Sequence, residues 1–130
     1  MDEQVLERIR QAAVGNQVSC ASAHRIAQDL GVPPIAVGKV ADANGLRIYR
    51  CQMGLFGFGV KAEGTHRIVR PADHIPEEVR EALAPHIADG RIPCAVAWQV
   101  ADRLEYPYLA LANILEALGC RVKPCQLGCF

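Results

Sequence analysis

Six cysteines are the residues of this 130-residue chain that are best suited to chemistry. Cys51 and Cys125 each open the same phrase, Cys-Gln-x-Gly-x-Phe, and Cys120, Cys125 and Cys129 follow a C-x4-C-x3-C spacing. A zinc or iron–sulfur site needs about four soft ligands that converge on one point. Cys51, Cys120, Cys125 and Cys129 would supply such a set if the two occurrences of the phrase met in the fold.

A structural interpretation of the cysteines stays open beside this one. Cys20 and Cys94 lie among alanines at helical spacing, which is typical of small buried hydrophobic groups. Cys120 and Cys129 align with leucines when the sequence is displaced by 74 residues, and no C-x2-C knuckle is present. No Ser-His-Asp order, paired-carboxylate motif or nucleophile elbow occurs. We therefore predict a protein that is not an enzyme and that requires no cofactor.

The 74-residue displacement reveals an internal repeat, which has to be recognised before the elements are assigned. Residues 2–56 and 76–130 align without a gap, and 17 of 55 positions are identical. Most other pairs exchange one apolar residue for another. We predict a mainly α fold with two repeated units, 2–56 and 76–130, packed as a pseudo-twofold pair. Residues 57–75 would form a linker and the wing of the first unit, with a hairpin turn at Glu63-Gly64.

Hydrophobic periodicity predicts helix, helix-turn-helix and strand in each unit. The opening helices are indicated by apolar residues at helical spacing, namely Val5, Ile9 and Ala12, and Val79, Leu83 and Ile87. Ser19 is the expected N-cap of the second helix. Pro33 suits the first turn of the third helix, and Gly45 its end. A strand is predicted over 46–52 because apolar residues alternate there.

The spacing of Ala27, Gly31, Val37 and Val40 resembles that of a helix-turn-helix, in which two helices cross closely through the turn. With the strand that follows, each unit resembles the winged-helix superfamily. The resemblance implies DNA binding, with the third helix as the recognition helix. In the second unit Glu105 replaces the turn glycine, which predicts a differently shaped turn.

The recognition helices present few side chains that suit bases. Their exposed positions would be Pro33, Pro34, Ile35, Gly38, Lys39 and Asp42, and Pro107, Tyr108, Leu109, Ala112, Asn113 and Glu116. Only Lys39 and Asn113 suit base edges. Phosphate contacts are predicted from the basic residues of the first strand and the linker, Arg47, Arg50, Lys61, Arg67 and Arg70. Ordinary solvated surface charge is the alternative. Ile35 with Pro34, and Leu109 with Tyr108, would equally form patches for docking a protein partner.

Composition limits these hypotheses. Fourteen basic residues balance fourteen acidic ones, so the chain has no strong field that would attract a polyanion. The N-terminus lacks a signal sequence, and no apolar run reaches membrane-spanning length. We expect a cytoplasmic protein without a membrane partner.

Three hypotheses for the function follow. The first is a transcriptional regulator that binds DNA through its first unit, with a homodimer as a source of specificity. The second is a non-enzymatic protein-interaction module on a helix-turn-helix scaffold. The third is a cysteine-based metal or redox sensor, which would use zinc or an iron–sulfur cluster if it binds metal.

Overall fold

The structure is a computed structural model that describes residues 2–59 and 65–130. Helices dominate this part of the chain, which confirms the prediction of a mainly α fold. The helices are α1 (Asp2–Ala12), α2 (Cys20–Leu30), α3 (Pro34–Ala43), α4 (Glu77–Leu83), α5 (Cys94–Leu104) and α6 (Tyr108–Ala117). The strands are β1 (Gln17–Ser19), β2 (Arg47–Tyr49), β3 (Arg91–Ile92) and β4 (Arg121–Val122). None of the helices in the described ranges is both long enough and apolar enough to cross a membrane.

The strands form two short parallel pairs, β1 with β2 and β3 with β4. The sequence predicted only the second strand of each pair, because two or three residues are too few to show an alternating pattern. Each missed strand follows a tight turn, with positive φ at Gly15 and Asn16 and again at Asp89 and Gly90. The strand predicted over 46–52 is correct only at Arg47–Tyr49, since Arg50 has φ 52° and turns the chain.

The helix ends agree in part with the prediction. Ser19 caps α2, where its Oγ accepts a hydrogen bond from the Ser22 N–H at 3.0 Å. Pro33 precedes α3 as its N-cap instead of lying in the first turn. The opening helix of the second half is shorter than predicted. It ends at Leu83 and continues as a 3-10 turn over Ala84–His86, so Ile87 is not helical. Pro85 explains the break, because it has no N–H for the helical ladder.

The turn between α5 and α6 contradicts the prediction of a different shape. Glu105 adopts φ 58° and ψ 40°, close to the φ 66° and ψ 31° of Gly31 in the first half. Both residues donate their N–H to the same two helical carbonyl positions, which belong to Ala101 and Asp102 in the second half. The turn between α2 and α3 and the turn between α5 and α6 are therefore alike, although Glu105 must occupy the left-handed region that favours glycine.

Replacement of Glu105 by glycine is expected to stabilise the protein. The left-handed conformation costs a non-glycine residue about 1 kcal/mol, and glycine removes this cost. We expect Glu105→Gly to raise the free energy of unfolding in urea by about 1 kcal/mol. Gly31→Ala, at the matching position, should lower it by about as much. A loss of stability in Glu105→Gly would contradict this account of the turn.

Two clusters of buried side chains form the core, one in each half of the chain. The first contains Val5, Ile9 and Val37, and the second contains Val79, Leu83, Ile92 and Leu111, among others. Each cluster includes a fully or nearly fully buried residue from the other half. Leu127 packs into the first cluster, and Met53 packs into the second. Each half thus completes the core of the other.

The repeated Cys-Gln-x-Gly-x-Phe phrase forms the segment that crosses between the halves. In both occurrences the N–H of the cysteine donates to the carbonyl of the phenylalanine, at 3.2 Å for Cys51 and 2.8 Å for Cys125. The glycine N–H donates back to the cysteine carbonyl, at 2.9 Å for Gly54 and 3.1 Å for Gly128. Both glycines have positive φ, 74° and 82°. The phrase therefore specifies a closed loop, which we call the first loop (51–56) and the second loop (125–130).

Candidate functional site

The second loop covers the face of α3 that the resemblance assigns to base reading. Gly38 is buried, and a Cβ at this position would overlap the carbonyl oxygen of Leu127. The prediction that Gly38 is exposed is therefore wrong. Lys39 and Asp42 remain exposed, and Ile35 is 38% exposed. A side chain from α3 can still reach a partner, but the middle of the helix lies under another part of the same protein.

The first loop covers α6 in a similar way, and the linker adds a second cover. A Cβ on Gly54 would lie 2.6 Å from Cδ1 of Leu109 and 2.8 Å from Cγ1 of Ile68. The carbonyl of Gly54 accepts hydrogen bonds from the N–H groups of Ile68 and Val69, at 2.9 and 3.1 Å. Val69 is buried, with 4% exposure. Leu109, a predicted docking residue, therefore lies against the first loop, at the same glycine that Ile68 of the linker approaches.

Polar contacts hold the same linker segment, residues 67–72, on α6. Arg67 forms an ion pair with Glu116, with 2.9 Å between Nη2 and Oε2. The backbone N–H of Arg70 donates to Oδ1 of Asn113, and the N–H of Ala72 donates to the carbonyl of Asn113, both at 2.9 Å. The predicted phosphate ligand Arg67 therefore already pairs with a carboxylate, and Asn113 is occupied by the linker.

The corresponding surface of α3 is an open cleft of about 920 Å³, which we call the α3 cleft. Gly128 lies against Ile35, since a Cβ on Gly128 would be 2.7 Å from Cδ1 of Ile35. Ile35 stands 74 residues before Leu109, and Gly128 stands 74 residues after Gly54. Within residues 2–59 and 65–130, however, no side chain takes the place of Ile68, and no backbone N–H donates to the carbonyl of Gly128.

The lining of the α3 cleft combines an apolar floor with charged edges. The apolar part of the lining comes from α3, from β2 and the residue before it, and from both loops. These side chains are Ile35, Leu46, Ile48, Leu55, Phe56, Leu127 and Phe130. Lys39, Asp42 and Arg47 supply charge at the edges. His66 also lines the cleft, and its buried Nδ1 has no hydrogen-bond partner in the described part of the chain. The cleft offers contacts to an amphipathic ligand.

The predicted DNA-binding residues are only partly brought together. Lys39 and Arg47 line the α3 cleft. Arg50 is exposed, and its guanidinium lies 5.7 Å from the centre of the Tyr49 ring. Lys61 and the predicted hairpin turn at 63–64 lie outside the described residues. On either side of that segment, the N–H of Phe58 donates to the carbonyl of His66 at 3.2 Å.

The cysteines group differently from the predicted metal set. Cys20, Cys51, Cys94 and Cys125 line one small cavity of about 10 Å³ between the halves, which is the space of about one water molecule. Cys120 is not among them, and its Sγ lies 3.7 Å from the carbonyl of Arg121. In the residues that the structure describes, no three cysteine, histidine or acidic side chains are arranged to hold a metal ion. The expected convergence of Cys51, Cys120, Cys125 and Cys129 is therefore wrong.

Burial keeps most of these thiols protonated. It raises the pKa of Cys20 to about 12 and of Cys94 to about 11. Burial also raises the pKa of Cys51. Cys125 is the exception, because a hydrogen bond with the Cys129 side chain lowers the pKa of Cys125 to about 6. The same contact raises the pKa of Cys129, whose thiol therefore acts as the donor.

Aromatic rings close the boundary between the halves beside this cavity. Trp98 stacks on Tyr108, with ring centres 4.3 Å apart and planes at 17°. His24 also packs against Trp98, with ring centres 4.3 Å apart, and burial lowers the pKa of His24. Tyr108, a predicted docking residue, thus contributes to an internal stack, and its hydroxyl donates to Asp102 at 2.9 Å.

Sequence reasoning missed three residues of this region, namely Gly38, Leu127 and His66. Gly38 carried a usable signal, because a glycine in the middle of a helix usually marks a close approach of another backbone. Leu127 and His66 carried none, since nothing local indicates which surface they contact. Comparison of the chain with protein families, with curated proteins and with solved structures finds no match.

Proposed function

We propose that this protein is a non-enzymatic protein-interaction module, and that the α3 cleft binds an extended peptide of a partner protein. In this proposal the halves are winged-helix-like units packed as a pseudo-twofold pair. One observation supports the binding of a peptide in the α3 cleft. The linker segment 67–72 fills the surface of α6, whereas the described residues leave the matching surface of α3 open. The chain's own linker is then a template for the occupant of the cleft.

The template defines the chemistry of the peptide. An apolar side chain in the place of Ile68 would pack on Ile35 and Gly128, and two backbone N–H groups would reach the carbonyl of Gly128. A basic side chain in the place of Arg67 would pair with Asp42, which stands at the position of Glu116. Recognition by main-chain hydrogen bonds together with pockets for single side chains is a common mode of peptide binding.

One difference between the two surfaces gives specificity. Lys39 stands where α6 has Asn113. Asn113 accepts the N–H of Arg70 through Oδ1, but a lysine can only donate. An acidic residue of the peptide at the place of Arg70 would pair with Lys39. The expected motif is therefore a basic residue, two apolar residues and an acidic residue.

Binding of a designed probe tests this function. The probe is the fluorescein-labelled peptide of residues 65–73 in which Arg70 is replaced by glutamate, Thr-His-Arg-Ile-Val-Glu-Pro-Ala-Asp. We expect saturable binding in fluorescence anisotropy. Ile35→Asp should weaken it at least about tenfold, a loss of about 1.4 kcal/mol. Asp42→Lys should weaken it as well, and a probe with glutamate in the arginine position should recover the affinity for that variant.

Matched controls make the outcomes distinct. Val14→Asp changes an apolar residue that is 70% exposed and lies outside the cleft, so binding should be unchanged. Absence of probe binding, or an equal loss in Val14→Asp, would overturn the proposal. The competing hypothesis is a DNA-binding regulator, which the joint presence of Lys39 and Arg47 at the cleft favours. Salt-sensitive binding of labelled duplex DNA that is lost in Arg47→Ala, without probe binding, would establish that alternative.

A further inference from the structure

We propose that Cys125 and Cys129 form a redox-active dithiol that reacts with hydroperoxides. The two cysteines lie in the second loop, which a hydrogen bond from the N–H of Cys125 to the carbonyl of Phe130 closes at 2.8 Å. Cys129 is exposed, so an oxidant from solvent can reach the pair. Cys129 also lines the α3 cleft, so the dithiol adjoins the peptide-binding surface, but its chemistry does not require the peptide-binding function.

The loop geometry stabilises a thiolate on Cys125. The N–H of Leu127 lies 3.4 Å from Sγ of Cys125. Backbone N–H groups of Gly128 and Cys129 add to this cradle. Hydrogen bonds to a charged group favour its charged form. The thiolate is the nucleophilic form of cysteine, so the loop activates Cys125.

The first loop is an internal comparison. Cys51 has the same closure of its loop and accepts from backbone N–H groups of Met53, Gly54 and Leu55. However, Leu55 stands at the position of Cys129, and Cys51 is buried with a raised pKa. The cradle alone therefore does not activate the sulfur. The thiol of Cys129 and the greater exposure of the second loop distinguish Cys125 from Cys51.

Charged groups do not compete with this effect. The titratable groups near Cys125 are the thiols of Cys20, Cys51, Cys94 and Cys129 and the imidazole of His24, which lines the same small cavity. Each thiol has a raised pKa and is neutral at pH 7, and burial lowers the pKa of His24, so its imidazole is neutral as well. The thiolate of Cys125 is therefore the only negative charge within this group of thiols at neutral pH.

The reaction balances with a hydroperoxide as the oxidant. The Cys125 thiolate attacks the terminal oxygen, an S–O bond forms, and the O–O bond breaks to release an alkoxide. The alkoxide takes the proton of the Cys129 thiol. The Cys129 thiolate then attacks Sγ of Cys125, the S–S bond forms, and hydroxide leaves. The hydroperoxide gains two electrons, and each sulfur loses one.

Alkylation of the reduced protein tests the thiolate. At pH 6 a thiol with a pKa of about 6 is half ionised, whereas an ordinary thiol of pKa 9.0 is ionised to about one part in a thousand. The lower basicity reduces the reactivity of each thiolate by a factor of about 20. We expect Cys125 to react with iodoacetamide about twentyfold faster than an ordinary thiol at pH 6, and about fourfold faster at pH 7.

Oxidation with hydrogen peroxide tests the pair. Mass spectrometry of the full chain should find a disulfide between Cys125 and Cys129 that dithiothreitol reverses, while Cys20, Cys51 and Cys94 remain alkylatable after denaturation. Cys129→Leu reproduces the first loop, so it should abolish the disulfide and slow the alkylation of Cys125 at pH 6 to the rate of an ordinary thiol. Circular dichroism checks its fold. A disulfide that joins Cys125 to Cys51 or Cys94, or equal alkylation rates for Cys125 and Cys120, would overturn the proposal.

Discussion

Replacement of Gly38 by alanine is expected to lower the free energy of unfolding by about 2 to 3 kcal/mol. Alanine in the middle of a helix normally stabilises it by about 1 kcal/mol relative to glycine. Here the new methyl group would overlap the carbonyl oxygen of Leu127 and lie 2.7 Å from its carbonyl carbon. Backbone atoms cannot rotate away as a flexible side chain can. The second loop must therefore move off α3, and the buried contact of Leu127 weakens.

Urea unfolding measures this effect, and the second half supplies a matched control. Ala112 stands at the position that matches Gly38, so the second half accommodates a buried methyl group where the first half has none. Ala112→Gly should cost only about 1 kcal/mol, through helix propensity. A stabilised Gly38→Ala variant would show that the second loop does not pack against α3.

Replacement of Leu127 by alanine is expected to cost about 2 to 5 kcal/mol, the usual range for a buried leucine. Leu127 is 3% exposed and lies in the core cluster of the first half, although its position in the sequence is in the second. Met53 is fully buried in the opposite cluster. Met53→Ala should therefore have an effect of similar size. Loss of either side chain leaves a cavity in the half that did not supply it.

Because each half contributes a buried side chain to the core of the other, we also expect a single unfolding transition. Trp98 packs against both core clusters, so its fluorescence reports on both. We expect its midpoint in urea to coincide with that of far-ultraviolet circular dichroism, in the wild type and in Leu127→Ala. Val14→Ala serves as a surface control and should change stability by less than about 0.5 kcal/mol. Two separate transitions, or a Leu127→Ala effect as small as that of Val14→Ala, would contradict the mutual completion of the cores.

Much of the local structure could be predicted because it depends on residues close in sequence. Ser19 caps α2 with its own side chain, and Gly31 ends that helix in the left-handed conformation. Helical periodicity located α2, α3, α5 and α6 for the same reason. The two short strands β1 and β3 were missed because their pairing with β2 and β4 depends on partners about 30 residues away.

The candidate site was predicted less well, since it depends on contacts between the halves. The repeated phrase indicated that Cys51 and Cys125 share a local geometry, but not that Cys20 and Cys94 join them. Cys129 aligned with a leucine and was interpreted as a buried position, whereas it is exposed. The alignment describes what the two halves have in common, and the activation of Cys125 comes from a difference between them.

By itself the sequence determined the helices, their caps and the loop that each Cys-Gln-x-Gly-x-Phe phrase forms, because periodicity, capping and glycine conformations are local properties. It also indicated which side chains are buried. Only the tertiary structure decided where they are buried, as with Leu127 in the core of the first half and Met53 in the core of the second. It likewise placed Glu105 in a conformation that glycine favours. The hydrophobic effect depends on the apolar area that is buried and has no direction. The apolar pattern of the sequence therefore does not say whether a side chain packs in its own half or in the other half, and the shape of the folded chain decides this.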